Sequence, residues 1–275
     1  MGQDHGTTAH RSGHPAGGEF PRFDVAFQPI VDVGAGRIVA HEALLRGLGG
    51  TPADGVLARV PPARRVAFEA EAVATILSHF ATAGAEYDLH VNVSPAVLLR
   101  APGMPATVAD LVEGSALAPS RVVIEVTEGE RIDDSTALAR VVTKARERGL
   151  RIALDDFGTG YGGIGLLDEV RPDLVKLDMS LVRGINHHRI RRPTVSRILD
   201  AAGRLGIGVV AVGIETEGEF HCLTELGVTL VQGFLVAPPA RERLVQSDEI
   251  VLPVRRSVPA WLAAPSDFDD VLRRH

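Results

Sequence analysis

Short apolar runs alternate with segments of helical period along most of the chain. Eight runs of four to ten residues, bounded by turn or charged residues, predict β-strands: DVAFQPIVDV, RIVAHEALLR, LHVNVS, RVVIEVTE, RIALDD, LVKLD, GVVAVG and LVQG. Strands that alternate with helices favour a parallel sheet. Eight such strands predict an α/β fold, a TIM-like (β/α)8 barrel.

Three segments between these strands have apolar residues at positions i, i+3, i+4 and i+7, which is typical of a helix that faces a core. The stripes are Val73, Ile76, Leu77 and Phe80; Leu138, Val141, Val142 and Ala145; and Val195, Ile198, Leu199 and Ala202. Pro193 suits the first turn of the third helix and Gly206 its end. Thr216 and Glu219 predict a capping box that opens the next helix.

The connection between the first two strands fixes the direction of the first. Only the short segment from Val33 to Arg37 connects the two runs, which is too short for a parallel crossover. We therefore expect the first strand of the barrel to run antiparallel to the others.

The composition narrows the class of protein. Of 275 residues, 45% are hydrophobic and 23% charged, and the net charge of −6 gives no general reason to expect nucleic acid or an anionic membrane as a partner. The basic run at residues 187–192 is more typical of a solvated loop than of a nucleic-acid contact. The single cysteine, Cys222, excludes an internal disulfide, and no apolar run approaches the roughly 18 residues of a transmembrane helix. We expect a cytoplasmic protein without nucleic-acid or membrane partners.

The chain divides into three parts. Residues 1–21 contain no apolar core of a signal peptide and predict a flexible tail. We expect residues 22–250 to form the barrel domain. Residues 251–275 form a C-terminal extension whose segment SDFDDVLRR is compatible with a short helix that packs on the barrel or on a neighbour.

Six predicted strands have a polar residue at or near their carboxyl end: Glu42, Asn92, Glu125, Asp155 with Asp156, Lys176 and Gln232. In a barrel these ends meet at one mouth. Because burying several unpaired carboxylates is costly, shared cations explain this group better than chance does. Oxygen ligands without a Cys or His cluster favour Mg²⁺ or Mn²⁺.

This pattern predicts phosphate chemistry. Two cations about 4 Å apart, bridged by a carboxylate of the Asp155–Asp156 pair, would activate water and stabilise a leaving oxygen of a phosphodiester, with Lys176 as a mobile positive charge. Arg46 suits a phosphate contact. Its other interpretation is a surface arginine before the turn GLGG.

The motifs FQPIVDV, GRIVAHEALLR, VNVSP, IEVTE, LDDFGTGYGG, LVKLD and QGF occur in this order between about residues 22 and 240. Together they resemble the EAL domain family, which takes its name from the tripeptide at residues 42–44. The resemblance implies a TIM-like barrel with an antiparallel first strand. It also implies hydrolysis of cyclic di-GMP to the linear dinucleotide pGpG with Mg²⁺ or Mn²⁺, and a homodimer.

The same resemblance assigns roles to individual residues. The ligands of the first metal are Glu42, Asn92, Glu125 and Asp155, and those of the second are Asp155 and Asp156. The expected substrate contacts are Gln28, Glu42, Arg46 and Gln232. The expected catalytic residues are Lys176, near the attacking water, Asp156 and Glu215. Glu128 resembles the glutamate that anchors the DDFGTG loop, which in the family links the site to the dimer interface.

One position departs from the family pattern. Where the family usually has AEGVET, this chain has AVGIET, so Val212 replaces a glutamate that helps to hold the second metal and its water. Loss of a group that positions the nucleophile typically lowers the rate about 10²- to 10⁴-fold. Rescue by Glu215 is awkward, because positions 212 and 215 of a strand point to opposite faces. Alternatively, Val212 is a packed strand residue in a site that works with one metal fewer and at a slower rate.

Three hypotheses follow. The first is a protein that binds cyclic di-GMP and hydrolyses it weakly or not at all, so that it is an impaired enzyme acting as a receptor. The second is a working phosphodiesterase, which the otherwise intact ligand set favours. The third is a non-catalytic module that contacts an unidentified protein partner, although abandonment of the ligand would be expected to alter more than one site residue.

Overall fold

The computed structural model describes residues 20–84, 86–98, 107–127, 135–158 and 163–253. Within these ranges the strands are β1 (Phe23–Asp32), β2 (Arg37–Gly47), β3 (Asp88–Asn92), β4 (Val122–Thr127), β5 (Arg151–Phe157), β6 (Leu174–Leu177), β7 (Gly208–Ala211), β8 (Leu230–Val231) and β9 (Ala240–Arg241). The α-helices of the same ranges are α1 (Ala53–Leu57), α2 (Arg65–Thr82), α3 (Pro95–Leu98), α4 (Val108–Glu113), α5 (Ser135–Glu147), α6 (Gly163–Val170), α7 (Met179–Val182), α8 (Arg191–Leu205) and α9 (Glu217–Glu225). Short 3₁₀ helices cover Pro62–Arg64 and Pro119–Arg121.

Strands β1 to β8 close into a barrel. β2 to β8 are parallel and follow one another in chain order, and β1 closes the ring by antiparallel pairing with both β2 and β8. The predicted TIM-like barrel with an antiparallel first strand is therefore confirmed. The connection from β1 to β2 is a tight turn in which Asp32 Oδ1 accepts hydrogen bonds from the backbone N–H groups of Gly34 and Ala35.

Strand β9 is an addition that the sequence pattern does not predict. It pairs antiparallel with β1 through Ala26 and Phe27. Two residues are too few to show an alternation of apolar and polar positions, so only the pairing with β1 identifies this strand.

The helical stripes pack as predicted. The buried residues of α2 include Val73, Ile76, Leu77 and Phe80, and α5 and α8 each bury three of their four stripe residues. Gly206 ends α8 in the left-handed conformation at φ 71°. The capping box at the start of α9 is present, with Thr216 Oγ1 accepting a hydrogen bond from the backbone N–H of Glu219.

An apolar layer lies inside the barrel, directly beneath the polar residues of the mouth. We use the name apolar layer for Ile30, Ala40, Val123, Ala153, Leu174, Val210 and Leu230, which form one buried cluster. Each of them lies two positions from a residue of the mouth in the same strand or its continuation; Ala40 precedes Glu42, and Leu174 precedes Lys176. Because strand residues two apart share a face, the same alternation that fills the barrel directs the site residues to its mouth.

Some predicted features fall outside the described residues. Glu128, most of the N-terminal tail and the segment SDFDDVLRR belong to them, so the loop anchor and the packed C-terminal helix stay predictions. No helix in the described part of the chain combines the length and the apolar character needed to cross a membrane.

Candidate metal site at the barrel mouth

A buried ammonium group lies among three carboxylates at the mouth. Lys176 Nζ is 2.8 Å from Glu42 Oε2, 2.7 Å from Glu125 Oε2 and 3.7 Å from Asp155 Oδ1. The side chains of Lys176 and Glu125 are 2% and 0% exposed. Four strands thus place charged groups in a region where an unpaired charge would be strongly unfavourable.

Amide groups fix the orientation of the Glu42 carboxylate. Asn92 Nδ2 donates to Glu42 Oε1 at 2.8 Å, and Gln232 Nε2 donates to Glu42 Oε2 at 2.8 Å. Gln28 Oε1 accepts a second, longer bond from Gln232 Nε2 at 3.3 Å, and Gln28 Nε2 donates to the carbonyl oxygen of Ala237. The structure therefore brings together the predicted residues from the first, second, third and eighth strands of the barrel.

A histidine that the sequence analysis did not single out also belongs to this network. His90 is 2% exposed, and its Nδ1 lies 2.7 Å from Glu125 Oε1. The available signal was its position two residues before Asn92 in β3, which places both side chains on the inner face of the barrel.

The group has the composition of a divalent-cation site. Oxygen atoms of Glu42, Glu125 and Asp155 all lie within 4.8 Å of one another. When ionised, these three carboxylates and the Lys176 ammonium carry three negative charges and one positive charge, a sum of −2 that one divalent cation balances. Gln232 Oε1 is buried and accepts no hydrogen bond within the described part of the chain. These oxygen donors fit Mg²⁺ or Mn²⁺.

Lys176 and Glu42 stabilise each other in the charged form. Burial alone would raise the pKa of Glu42, but the charge of Lys176 and hydrogen bonds from Lys176, Gln232 and Asn92 lower this pKa to about 2. Burial would lower the pKa of Lys176, but the charges of Asp155, Glu125 and Glu42 raise it well above its ordinary value. This pair therefore stays ionised.

The other two carboxylates experience an excess of negative charge. Burial and then the charge of Glu42 raise the pKa of Glu125 well above its ordinary value. Burial is also the main cause that raises the pKa of Asp155, and the nearby Lys176 lowers it only in part. A bound cation would supply the positive charge that favours the ionised form of both groups.

A local irregularity in β5 separates the two consecutive aspartates. The pairing of β5 with β6 shifts register between Leu154 and Phe157, and Asp156 has φ 54°, in the left-handed region. Burial, followed by the charges of Asp155 and Asp178, raises the pKa of Asp156 to about 6. Asp156 does not belong to the group of three carboxylates within 4.8 Å, and its roles as a metal ligand and in catalysis stay predictions.

Val212 follows directly after β7, at the same level as the site residues of the neighbouring strands. Its side chain is partly buried and packs against the apolar layer. Lys176 of β6 pairs in register with Val210 of β7, two residues before Val212. The end of β7 thus presents an isopropyl group where β2, β4 and β5 present carboxylates.

Glu215 lies in a different environment. It is exposed, and Arg183 donates a hydrogen bond to its Oε1 as part of an ion pair. Its backbone N–H donates to Glu219 Oε2 at 3.0 Å. The catalytic role predicted for Glu215 stays a prediction, and a carboxylate already paired with arginine at the surface gives it no support.

A cleft of about 340 Å³ opens beside the metal group. Glu42, Arg46, Asn92, Glu69 and Thr127 are among its lining residues. Arg46 is partly exposed, and its Nη1 donates only to the adjacent carbonyl of Leu45 in the described structure, at 2.9 Å. Arg46 thus lines the same cleft as Glu42 and carries guanidinium donors that suit a phosphate group.

Known proteins share both the sequence pattern and the fold. The profile of the EAL domain family matches residues 19–239. A cyclic di-GMP phosphodiesterase of Pseudomonas aeruginosa is 32% identical over 229 residues, which are 79% of this chain and 38% of that protein. A blue light- and temperature-regulated antirepressor of Escherichia coli is 27% identical over 214 residues, which are 77% of this chain and 53% of that protein. The chain thus spans about half or less of the length of these relatives.

Among solved structures, a similar one is the manganese and cyclic di-GMP complex of BlrP1 from Klebsiella pneumoniae. It is 31% identical with a TM-score of 0.77, and the match covers 86% of this chain and 58% of that chain. The likeness confirms the barrel. It also shows that a protein with a similar barrel is found with a divalent metal.

Proposed function

The chain belongs to the EAL domain family, and from this premise we propose that it is a receptor for cyclic di-GMP whose hydrolytic activity is weak or absent. The resemblance first identified from the motifs is confirmed. The observation that carries the proposal is the combination of an intact charged network around Lys176 with Val212 at the end of the neighbouring strand.

The retained residues account for binding. Glu42, Glu125 and Asp155, with Asn92, would hold Mg²⁺ or Mn²⁺, and the cation when bound would attract the phosphodiester oxygens of the ligand. Arg46 offers a guanidinium at the edge of the cleft for a phosphate group. Gln232 donates a hydrogen bond to the Glu42 carboxylate, Gln28 accepts one from Gln232, and both contribute amide groups to the same mouth.

The lost carboxylate accounts for weak hydrolysis. Of the positions that the family resemblance assigns to a second cation, Asp155 and Asp156 keep their carboxylates, whereas the Val212 side chain offers no donor. The Arg183 ion pair holds Glu215 at the surface. An attacking water would therefore lack one of the groups that position it, which typically lowers the rate about 10²- to 10⁴-fold.

Two measurements on the purified chain test the two parts of the proposal, binding of cyclic di-GMP and weak hydrolysis. Calorimetry with cyclic di-GMP and Ca²⁺ is expected to show binding, and chromatography with Mn²⁺ is expected to show little pGpG. Arg46→Gln should weaken binding, whereas Arg59→Gln, at an exposed arginine outside the cleft lining, should leave it unchanged. Absence of binding would refute the receptor, and turnover at ordinary enzymatic rates would establish the alternative, a working phosphodiesterase.

A protein-interaction module is the second candidate function. The likeness to an Escherichia coli relative whose name describes an antirepressor favours it. This function requires a protein partner of unknown identity and no ligand, so calorimetry without any cyclic di-GMP binding would support it over the receptor. In either case we expect a homodimer in the cytoplasm, which sedimentation and cell fractionation would test.

A further inference from the structure

His90 is the polar exception at the level of the apolar layer. Seven strands of the barrel place an apolar residue two positions from their residue at the mouth. The remaining strand, β3, places His90 two positions before Asn92. His90 is 2% exposed, so the imidazole has lost nearly all contact with water.

Burying this ring has a cost that an apolar side chain would avoid. Valine fills the equivalent positions of β4 and β7, as Val123 and Val210. The ring makes one specific contact with the site, the 2.7 Å approach of its Nδ1 to Glu125 Oε1. Burial, followed by the charges of Lys176 and Arg151, lowers the pKa of His90 well below its ordinary value.

The two oxygens of Glu125 have different partners. Oε1 lies against His90, whereas Oε2 lies 2.7 Å from Lys176 Nζ, the ammonium that also contacts Glu42 and Asp155. A carboxylate that binds a cation is ionised and can only accept hydrogen bonds. The proton of the contact with His90 must then be on Nδ1 of the ring.

We infer that His90 is a positioning residue for the cation: as the Nδ1–H tautomer it holds Glu125 Oε1 and thereby directs Glu125 Oε2 toward the bound metal. The inference rests on the metal site of the proposed function and deepens it, because it assigns a role to a residue outside the ligand set. Hydrogen bonds to metal-binding carboxylates commonly fix their orientation in this way.

The test uses the affinity of the full chain for Mn²⁺, measured from the electron paramagnetic resonance signal of free Mn²⁺. His90→Val completes the apolar layer with the residue that β4 and β7 use there, but removes the donor. His90→Asn keeps an amide N–H near the place of Nδ1. We expect H90V to weaken Mn²⁺ binding about 10- to 100-fold and H90N to retain most of the affinity.

Unfolding in EDTA separates positioning from a purely structural role. Both variants are expected to melt close to the wild-type temperature, because the role concerns the cation. Wild-type Mn²⁺ affinity in H90V, or equal losses of affinity in H90V and H90N, would overturn the inference. If the wild type binds no Mn²⁺, the proposed metal site and the role of His90 both fall.

A second measurement does not depend on the folding of H90V. Nitrogen-15 spectra of the imidazole groups with Mg²⁺ present should show a ring protonated at Nδ1, identified as the signal that H90N lacks. A ring protonated only at Nε2 would overturn the inference.

Calorimetry with cyclic di-GMP on the same samples distinguishes the two proposals. Mn²⁺ binding with this pattern of variants but no cyclic di-GMP binding would refute the receptor and leave the role of His90 intact.

Discussion

Lys176 Nζ lies 2.7 Å from Glu125 Oε2 in the interior of the barrel mouth, where the two side chains are 2% and 0% exposed. The ammonium is the single positive charge that contacts Glu42, Glu125 and Asp155 within the described residues. It offsets only part of their negative charge. The stability of this region and its affinity for a cation are therefore coupled.

Replacing Lys176 with Met keeps the length of the side chain and removes its charge. We expect the free energy of unfolding in EDTA to fall by about 3–5 kcal/mol, because buried carboxylates lose their counter-ion. Mg²⁺ should restore part of the loss, since a cation supplies the missing charge. Urea denaturation with and without Mg²⁺ measures both effects.

Lys144→Met is the matched control. Lys144 is the other lysine of the chain and is exposed on α5, so its change should alter stability by no more than about 0.5 kcal/mol. Equal stabilities of the two variants in EDTA would contradict the role given to Lys176.

Gly233 allows the backbone after β8 to pack against the segment that follows β7. A Cβ atom at position 233 would lie 2.2 Å from the carbonyl oxygen and 2.4 Å from the nitrogen of Ile214. Because backbone atoms cannot rotate away, Gly233→Ala should lower the free energy of unfolding by about 1–3 kcal/mol or more. It should also weaken cyclic di-GMP binding by displacing Gln232. Urea denaturation and calorimetry measure the two changes.

Gly203→Ala is the control for this change. Gly203 is exposed in the last turn of α8, and a Cβ atom there would meet nothing within 4 Å. Alanine should therefore stabilise the helix by up to about 1 kcal/mol. A similar loss of stability at both glycines would contradict the packing argument.

Glu219 connects the start of α9 with the loop after β7 and with the turn that follows α7. Its carboxylate accepts hydrogen bonds from the backbone N–H groups of Gly184, Glu215 and Thr216, at 2.7 Å, 3.0 Å and 3.0 Å. Burial would raise the pKa of Glu219, but these bonds lower it below its ordinary value of 4.5. A lowered pKa stabilises the fold at pH above about 4.5, and the contribution is lost as pH falls through the pKa of the folded state.

Glu219→Gln should therefore cost about 1.5–3 kcal/mol at pH 7. The difference from the wild type should shrink as the pH is lowered toward 3. Denaturation over this range measures the difference, with Glu71→Gln, at an exposed position of α2, as a control that should stay near the wild type. If the difference in free energy of unfolding between wild type and Glu219→Gln did not change with pH, the stabilising role of the ionised Glu219 carboxylate would be contradicted.

The barrel and most of its site could be predicted because both depend on local alternation. The period of two that places Val123 and Leu174 inside the barrel also places Glu125 and Lys176 at its mouth. The capping box of Thr216 and Glu219 is equally local, since its two members lie three residues apart. Predictions of this kind need no knowledge of distant contacts.

The features that escaped prediction depend on contacts distant in sequence or on small backbone changes. His90 contacts Glu125, which lies 35 positions later in the sequence. The sequence around a histidine in an apolar strand does not indicate which residue its ring contacts. The positive φ of Asp156 lies within a strand whose sequence, RIALDDF, contains no glycine or proline to indicate an irregularity. Glu215 pairs with Arg183, which lies 32 positions earlier in the sequence. Predicting this ion pair would require the relative positions of α7 and α9, since Arg183 follows α7 and Glu215 precedes α9.

In the proposed receptor, one missing carboxylate, at position 212, separates the chain from an active phosphodiesterase. Chromatography of the products from cyclic di-GMP and Mn²⁺ tests it directly, with the wild type, Val212→Glu and Val212→Gln side by side. We expect little pGpG from the wild type, none from V212Q, and release of pGpG by V212E about 10²- to 10⁴-fold faster than by the wild type. Wild-type turnover close to that of V212E would contradict the proposed effect of Val212 and show that the site works without this carboxylate.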